Sequence, residues 1–216
     1  MTTILPIKSI RSEDLAGVAH SLKRGGLVCL PTDTVYGMAC LPVIPGALNK
    51  LYEAKGRGYQ KPVALIFAAL PDVFDSLAAI PERIRKVMLT LLPGPVTVVV
   101  PAADHEKAAL GMPEADGLGL RVMPPPLDKL YGHLPGPLAV TSANLSGGPD
   151  PCSVEEIPEG IRKTCDYVID AGPCPRSIPS TVVDLRPMAG VGDHVIIREG
   201  AVPAAEVGRR IEGCGC

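Results

Sequence analysis

Proline and glycine interrupt this chain almost everywhere. Its 216 residues include 24 Pro and 23 Gly, spread along the whole length with no single linker. Proline fixes φ and removes a backbone donor, and glycine favours turns, so long uninterrupted helices and strands are excluded. The fold must be assembled from many short elements. Eight brief apolar runs read as strands: Leu27–Leu30, Pro62–Phe67, Val96–Val100, Leu118–Val122, Pro137–Thr141, Tyr167–Ile169, Thr181–Val183 and Val195–Ile197. Several are rich in β-branched side chains, which suit a pleated, buried surface.

Helical spacing fills the gaps between them. Ser12 reads as an N-cap with Glu13 and Asp14 in the first turn, and Leu15, Val18, Ala19 and Leu22 form one apolar face that stops at Gly25-Gly26. A second helix is expected from Pro45 to Lys55, with Leu48, Leu51 and Tyr52 on one side and Gly56 as its stop. Pro81 suits the first position of a third, whose stripe is Ile84, Val87, Met88 and Leu91. A final helix covers Ala204 to Ile211. About eight strands interleaved with about six helices predict an α/β fold on a twisted, mixed, open sheet. The length suits one domain, over 8–212, with 1–7 and 213–216 as terminal tails.

Composition removes several function classes. Aromatics make up only 3% and Trp is absent, so the core must be aliphatic. The net charge is −2 and the pI is near 6.1. Nucleic-acid-binding domains usually carry a basic stripe with a pI above about 9, and RNA readers stack bases on aromatic rings. Here five Tyr and two Phe are scattered, so weak or no direct nucleic-acid binding is expected. Cysteines stand at 29, 40, 152, 165, 174, 214 and 216 with no Cys-x-x-Cys spacing, and read as reduced thiols. Cys214-Gly215-Cys216 lacks the wider, four-ligand pattern of a zinc site. No apolar run approaches the ~20 residues of a membrane helix, and the N-terminus has no signal-peptide core. A cytoplasmic, membrane-free protein is the expectation.

Four polar islands lie at the ends of apolar runs, where open sheets hold their ligands. They are Pro31-Thr32-Asp33-Thr34-Val35-Tyr36-Gly37, Lys55-Gly56-Arg57 with Lys61, Thr141-Ser142-Ala143-Asn144, and Ser180-Thr181. Cations near a helix end can simply complement its dipole. Lys55, Arg57 and Lys61 also flank a glycine stop, a placement that lets them wrap a polyphosphate. Ser142 and Asn144 fit either an ordinary turn or an anion site, and Ser180 fits either a cross-strand hydroxyl pair or a ligand contact. Arg121 sits inside an apolar strand, where a charge is costly unless paired, so it faces either solvent or a cleft. Arg198, at a strand end, has the same two options. The stretch 143–153 is the best candidate for a mobile flap. Neither a phosphate-binding Gly-x-x-x-x-Gly-Lys-Ser/Thr loop nor a Gly-x-Gly-x-x-Gly turn occurs. His20, His105, His133 and His194 share no ligand spacing and no nearby nucleophile, so neither a triad nor a protein-held metal is predicted. Fixed positive charge beside hydroxyls and an amide suits a phosphate ester with a small polar substrate.

These strings, with Leu92-Pro93-Gly94-Pro95-Val96-Thr97, Leu120-Arg121-Val122, Ser142-Ala143-Asn144-Leu145-Ser146-Gly147, Ser180-Thr181-Val182-Val183-Asp184 and Ile197-Arg198-Glu199-Gly200, resemble the YrdC-like family of threonylcarbamoyl-AMP synthases. The resemblance runs from about residue 10 to about 205, and each string alone is weak while their order is specific. It implies a sheet curled around a large concave, positively charged cavity. It implies synthesis of threonylcarbamoyl-AMP from L-threonine, bicarbonate or carbon dioxide, and ATP, with Mg²⁺ accompanying the nucleotide. Downstream proteins would transfer the threonylcarbamoyl group to tRNA. By position, Lys55 and Arg57 match the catalytic cations; Lys55, Arg57, Lys61, Asn144, Cys152 (or Ser153) and Arg198 match ATP contacts. Thr34, Arg121, Ser142 and Ser180 match threonine contacts, with Arg121 on the carboxylate. The chain departs from the family at Gly58, where proline is usual, and at Pro179, where an acid is common. It resembles the short form without an extra C-terminal domain. Three other readings stay open: an RNA-binding module of the same fold, a carbamoyl-transfer domain like that of hydrogenase maturation proteins, and a small nucleotide-binding regulator.

Overall fold

The computed structural model describes residues 2–56, 63–122 and 127–215. From the N-terminus, β1 (Thr3–Pro6) leads through a single 3₁₀ turn into α1 (Ser12–Lys23), then β2 (Val28–Leu30), β3 (Gly37–Cys40) and α2 (Ala47–Lys55). The middle of the chain holds β4 (Ala64–Phe67), α3 (Leu70–Ser76), α4 (Glu82–Leu91), β5 (Val96–Val100), α5 (Asp104–Ala109), β6 (Leu118–Val122) and α6 (Asp128–Tyr131). It closes with β7 (Leu138–Ser142), α7 (Glu159–Thr164), β8 (Tyr167–Asp170), β9 (Thr181–Asp184), β10 (Val195–Arg198) and α8 (Ala204–Glu212).

The strands form one ten-stranded sheet, ordered β1-β8-β2-β3-β7-β4-β6-β5-β9-β10. It is mixed: β1–β8, β2–β8, β4–β6 and β5–β9 run parallel, and the other pairs antiparallel. All eight expected strands are present. Two more, β1 and β3, were not anticipated. β1 falls in residues expected to be a tail, yet Thr3–Pro6 register against Tyr167–Asp170 as an edge strand. β3 (Gly-Met-Ala-Cys) contains no β-branched residue, and its place between β2 and β7 overrides that weak propensity.

Three helix starts differ from expectation. α2 begins at Ala47, capped by Gly46, and not at Pro45. The N-cap of α1 is Arg11, not Ser12, because Asp14 Oδ2 accepts the Arg11 backbone N–H at 2.9 Å and closes the first turn one residue earlier. Pro81 is likewise the cap of α4 and not its first helical residue. Short α3, α5, α6 and α7 raise the count above six, since helices of one or two turns leave little periodicity to read.

Strand alternation sends side chains to two faces. Cys29, Met38, Leu65, Val98, Leu120 and Val168 share a core with α2, α4, α7 and α8. In α4, Ile84, Val87, Met88 and Leu91 are all fully buried there, each stabilising by about 1.5–3 kcal/mol. On the opposite face, Val28, Leu30, Ala39, Leu138 and Ile169 pack with Leu15, Val18, Ala19 and Leu22 of α1 and Leu130 of α6. That second layer is incomplete. Over β4, β6, β5 and β9 the same face instead borders a cavity of about 1030 Å³. Its floor is low because the registered row Val140–Ala64–Gly119–Val99 has small side chains at its centre. Among the described residues, no helix is long and apolar enough to cross a membrane.

Candidate active site

The cavity has polar chemistry along its floor and apolar walls. Pro42, Ile44, Leu48 and Tyr52 make one wall, and Met112, Pro113 and Ala115 another. Thr34, Arg121, Ser142, Ser180 and Arg198 all line it. Segments far apart in sequence therefore bring all four predicted threonine contacts together.

Arg121 resolves its two options in favour of the cleft. It stands on β6 opposite Ile66, is 7% exposed, and points into the cavity. Its Nη2 forms an ion pair with Asp33 Oδ1 and lies 3.4 Å from Thr34 Oγ1. Burial pulls the guanidinium pKa down; the Asp33 charge opposes that, and Arg198 adds to it. Its Nε is buried and has no hydrogen-bond partner among the described residues. Thr32 Oγ1 builds the turn under this pair, sharing a hydrogen bond of 2.9 Å with Thr34 Oγ1, donating to Val35 O at 2.7 Å, and accepting the N–H of Thr34 and of Val35.

A second group surrounds Ser142. Gly56, at φ 58°, ends α2 in the left-handed conformation that glycine adopts without strain, which leaves Lys55 as the last helical residue. Lys55 Nζ donates to Asn144 Oδ1 at 2.8 Å, to the Ser142 carbonyl, and weakly to Ser142 Oγ at 3.4 Å. Asn144 Nδ2 donates to Gly148 O at 2.6 Å and Asp150 Oδ1 at 3.2 Å, and Ser146 N–H donates to Lys55 O at 3.0 Å. The start of the expected flap is thus tied to the end of α2. Ser142 and Asp150 border the cavity, while buried Lys55 and Asn144 stand behind Ser142.

A third group closes the β9–β10 side. Ser180 Oγ shares a hydrogen bond of 2.8 Å with Thr97 Oγ1, and Arg198 Nη2 donates to Ser180 O at 2.8 Å. Ser180 thus pairs across the sheet and also faces the cavity. Gly200 lets this corner close, since a Cβ there would lie 2.2 Å from Pro179 O.

Arg57 and Lys61 lie outside the described residues. Cys152 does not border the cavity: its N–H donates to Glu156 Oε2 at 2.7 Å and its thiol lies 3.6 Å from Asp150 O. Ser153, the alternative at that place, does not line the cavity either. Sequence reasoning gave no role to Asp33, Thr97, Asp150 or the pair Arg186–Asp184. Arg186 lines the far end of the cavity, with Nη2 on Asp184 Oδ2 at 2.8 Å and Nη1 on Asp116 Oδ2 at 2.6 Å. That bonding holds the Asp184 carboxyl below its usual range. Asp33, Thr97 and Asp184 did lie inside the motif strings, which was the available signal. Among the described residues no group of three or more His, Cys, Asp or Glu could hold a metal.

A family model for Sua5, YciO and YrdC proteins, described as telomere recombination, matches residues 20–200. The chain belongs to the Sua5/YciO/YrdC family. A Methanocaldococcus jannaschii relative is 31% identical across 95% of this chain and 97% of its own length. The threonylcarbamoyl-AMP synthase of Rattus norvegicus is 35% identical across 90% of this chain and 70% of its own. Among solved structures, P. abyssi Sua5 complexed with L-threonine superposes with a TM-score of 0.84 at 27% identity, covering 98% of this chain. This chain spans 61% of that protein's length. E. coli YciO, 22% identical, matches with a TM-score of 0.80 over 96% of this chain and 99% of its own, and shares the Sua5/YciO/YrdC fold.

Proposed function

We propose that this chain is an adenylating enzyme that makes threonylcarbamoyl-AMP from L-threonine, bicarbonate and ATP, releasing pyrophosphate, for the threonylcarbamoyladenosine modification of tRNA. One observation carries the reading most: a buried Arg121, held at Nη2 by Asp33, faces a cavity also lined by Thr34, Ser142, Ser180 and Arg198. A desolvated guanidinium with a spare N–H suits a carboxylate, and the flanking hydroxyls suit a small polar amino acid. The relatives' name and the L-threonine complex of P. abyssi Sua5 agree with that chemistry.

The reaction needs no protein nucleophile. The threonine amine adds to carbon dioxide, giving an N-carboxylate and releasing a proton. That carboxylate oxygen attacks the α-phosphorus of ATP, and the bond to pyrophosphate breaks. The protein positions both substrates and offsets developing phosphate charge. Arg121, Thr34, Ser142 and Ser180 would hold threonine. Lys55, Arg57, Lys61, Asn144 and Arg198 would hold the nucleotide, which arrives with its Mg²⁺. A cavity of about 1030 Å³ is at the upper end for small-molecule sites and has room for both.

The test is pyrophosphate release by purified protein with ATP, magnesium and bicarbonate, with and without L-threonine. Threonine-dependent release, with threonylcarbamoyl-AMP identified by mass spectrometry, supports the reading. Pyrophosphate formation indifferent to threonine rejects it.

A further inference from the structure

We propose that Asp33 is a positioning residue for substrate threonine, acting through Arg121; this rests on the function proposed above. A guanidinium can present its fork to a carboxylate in several rotations. Here one end is committed: Nη2 is paired with Asp33 Oδ1 and supported by Thr34 Oγ1. The other end of the fork is left for a ligand, on a side chain that lines the cavity, while Nε itself is buried. Asp33 thereby decides which N–H groups a ligand carboxylate meets.

The surroundings of Asp33 fit that task. Its carboxylate is not part of the main cavity lining. It borders a separate hollow of about 530 Å³ formed with Pro93, Gly94, Pro95, Pro175 and Arg176. The Asp33 side chain is 15% exposed and the Arg121 side chain 9%, so the acid is the wetter member of the pair. It gives the desolvated guanidinium a fixed counter-charge. The hollow also gives the Pro93-Gly94-Pro95 string a place in the site. That turn forms its far wall, and Pro95 O accepts Thr181 N–H at 3.1 Å, joining it to the Ser180 corner.

The experiment compares Asp33→Asn, Asp33→Glu, Arg121→Met and the Asp33→Asn/Arg121→Met pair in the full chain. Threonine binding is measured by calorimetry and steady-state constants by pyrophosphate release. Asp33→Asn should weaken threonine binding about tenfold and raise its KM alike, because a mispointed charged hydrogen bond is worth roughly that factor. kcat should fall less than about threefold, since the carboxylate contact is the same in ground and transition states. The KM for ATP should not move. Asp33→Glu should recover part of the loss. In the Arg121→Met background, Asp33→Asn should add nothing, which is the signature of action through one partner. Equal threonine affinity in wild type and Asp33→Asn overturns the inference and leaves the proposed function standing. Fully additive losses in the double variant also overturn it. Absence of threonine binding to the wild type rejects the proposed function itself, and this inference with it.

Discussion

Thr97 and Ser180, separated by 83 residues in sequence, share a buried hydrogen bond of 2.8 Å where β5 meets the start of β9. That bond fixes the Ser180 hydroxyl, while Arg198 grips the Ser180 carbonyl at 2.8 Å from the β10 side. Thr97→Val keeps the shape and removes the partner. The threonine KM should rise about fivefold and stability should fall by about 1 kcal/mol. Saturation curves and urea unfolding measure the two effects. An unchanged KM with the stability loss intact would leave Thr97 a purely architectural role.

Lys55 makes a different kind of prediction, because its ammonium is engaged with Asn144 and Ser142. Replacing it with Met retains the aliphatic stem and removes the charge. Asn144 Oδ1 still has the Ser142 hydroxyl at 2.7 Å, so the turn keeps one tie. Pyrophosphate release should drop about a hundredfold, the usual effect of losing one preorganised charge donor. A rate within threefold of wild type would make Lys55 a tether between α2 and β7 and nothing more.

Gly200 can be tested by adding one methyl group. An alanine Cβ would lie 2.2 Å from Pro179 O and 2.7 Å from Ser180 O, so the backbone at the Ser180 corner must shift. Gly200→Ala should cost about 1–3 kcal/mol, as overpacking does, and lower the melting temperature by several degrees. Calorimetric scans check this. A melting temperature equal to wild type would show that the corner yields freely.

The acid dependence of stability should report the Asp184–Arg186 pair. Arg186 holds the Asp184 carboxyl below its ordinary range. A carboxylate with a lowered folded pKa contributes stability above its unfolded value, near ~3.9, and loses it as pH falls through the lower folded value. The gap in urea midpoint between wild type and Asp184→Asn should therefore be wide at neutral pH and close in strong acid. A gap that stays constant down to about pH 2.5 would point to packing, not charge.

The parts of this fold that were legible before any coordinates share one property: their signal is local. Val96–Val100 and Thr181–Asp184 announce themselves by β-branching, and α4 by the spacing of Ile84, Val87, Met88 and Leu91. β3 was hidden because Gly37–Cys40 has no strand preference of its own and is extended only by its neighbours. At the site, ordered motif strings picked out Thr34, Arg121, Ser142, Ser180 and Arg198, and all five face one cavity. Asp33 was in plain view, yet its partner lies 88 positions downstream, and charge pairing across that separation leaves no mark on either segment. The same holds for Thr97 with Ser180. Arg186 falls just past the last residue of its string, so nothing drew notice to it.

The strand order has a consequence for synthesis of the protein. The cavity floor draws on β7, β4, β6, β5 and β9, with Arg198 of β10 at its rim. Residues 34 and 198 must both be in place before the hollow is complete. A chain still emerging from the ribosome can hold helices and hairpins, but the finished pocket waits for β10, the last of the ten strands in chain order. Ligand capture is therefore a check on completed folding: a product cut short before β10 would keep much of the sheet and lack a closed site.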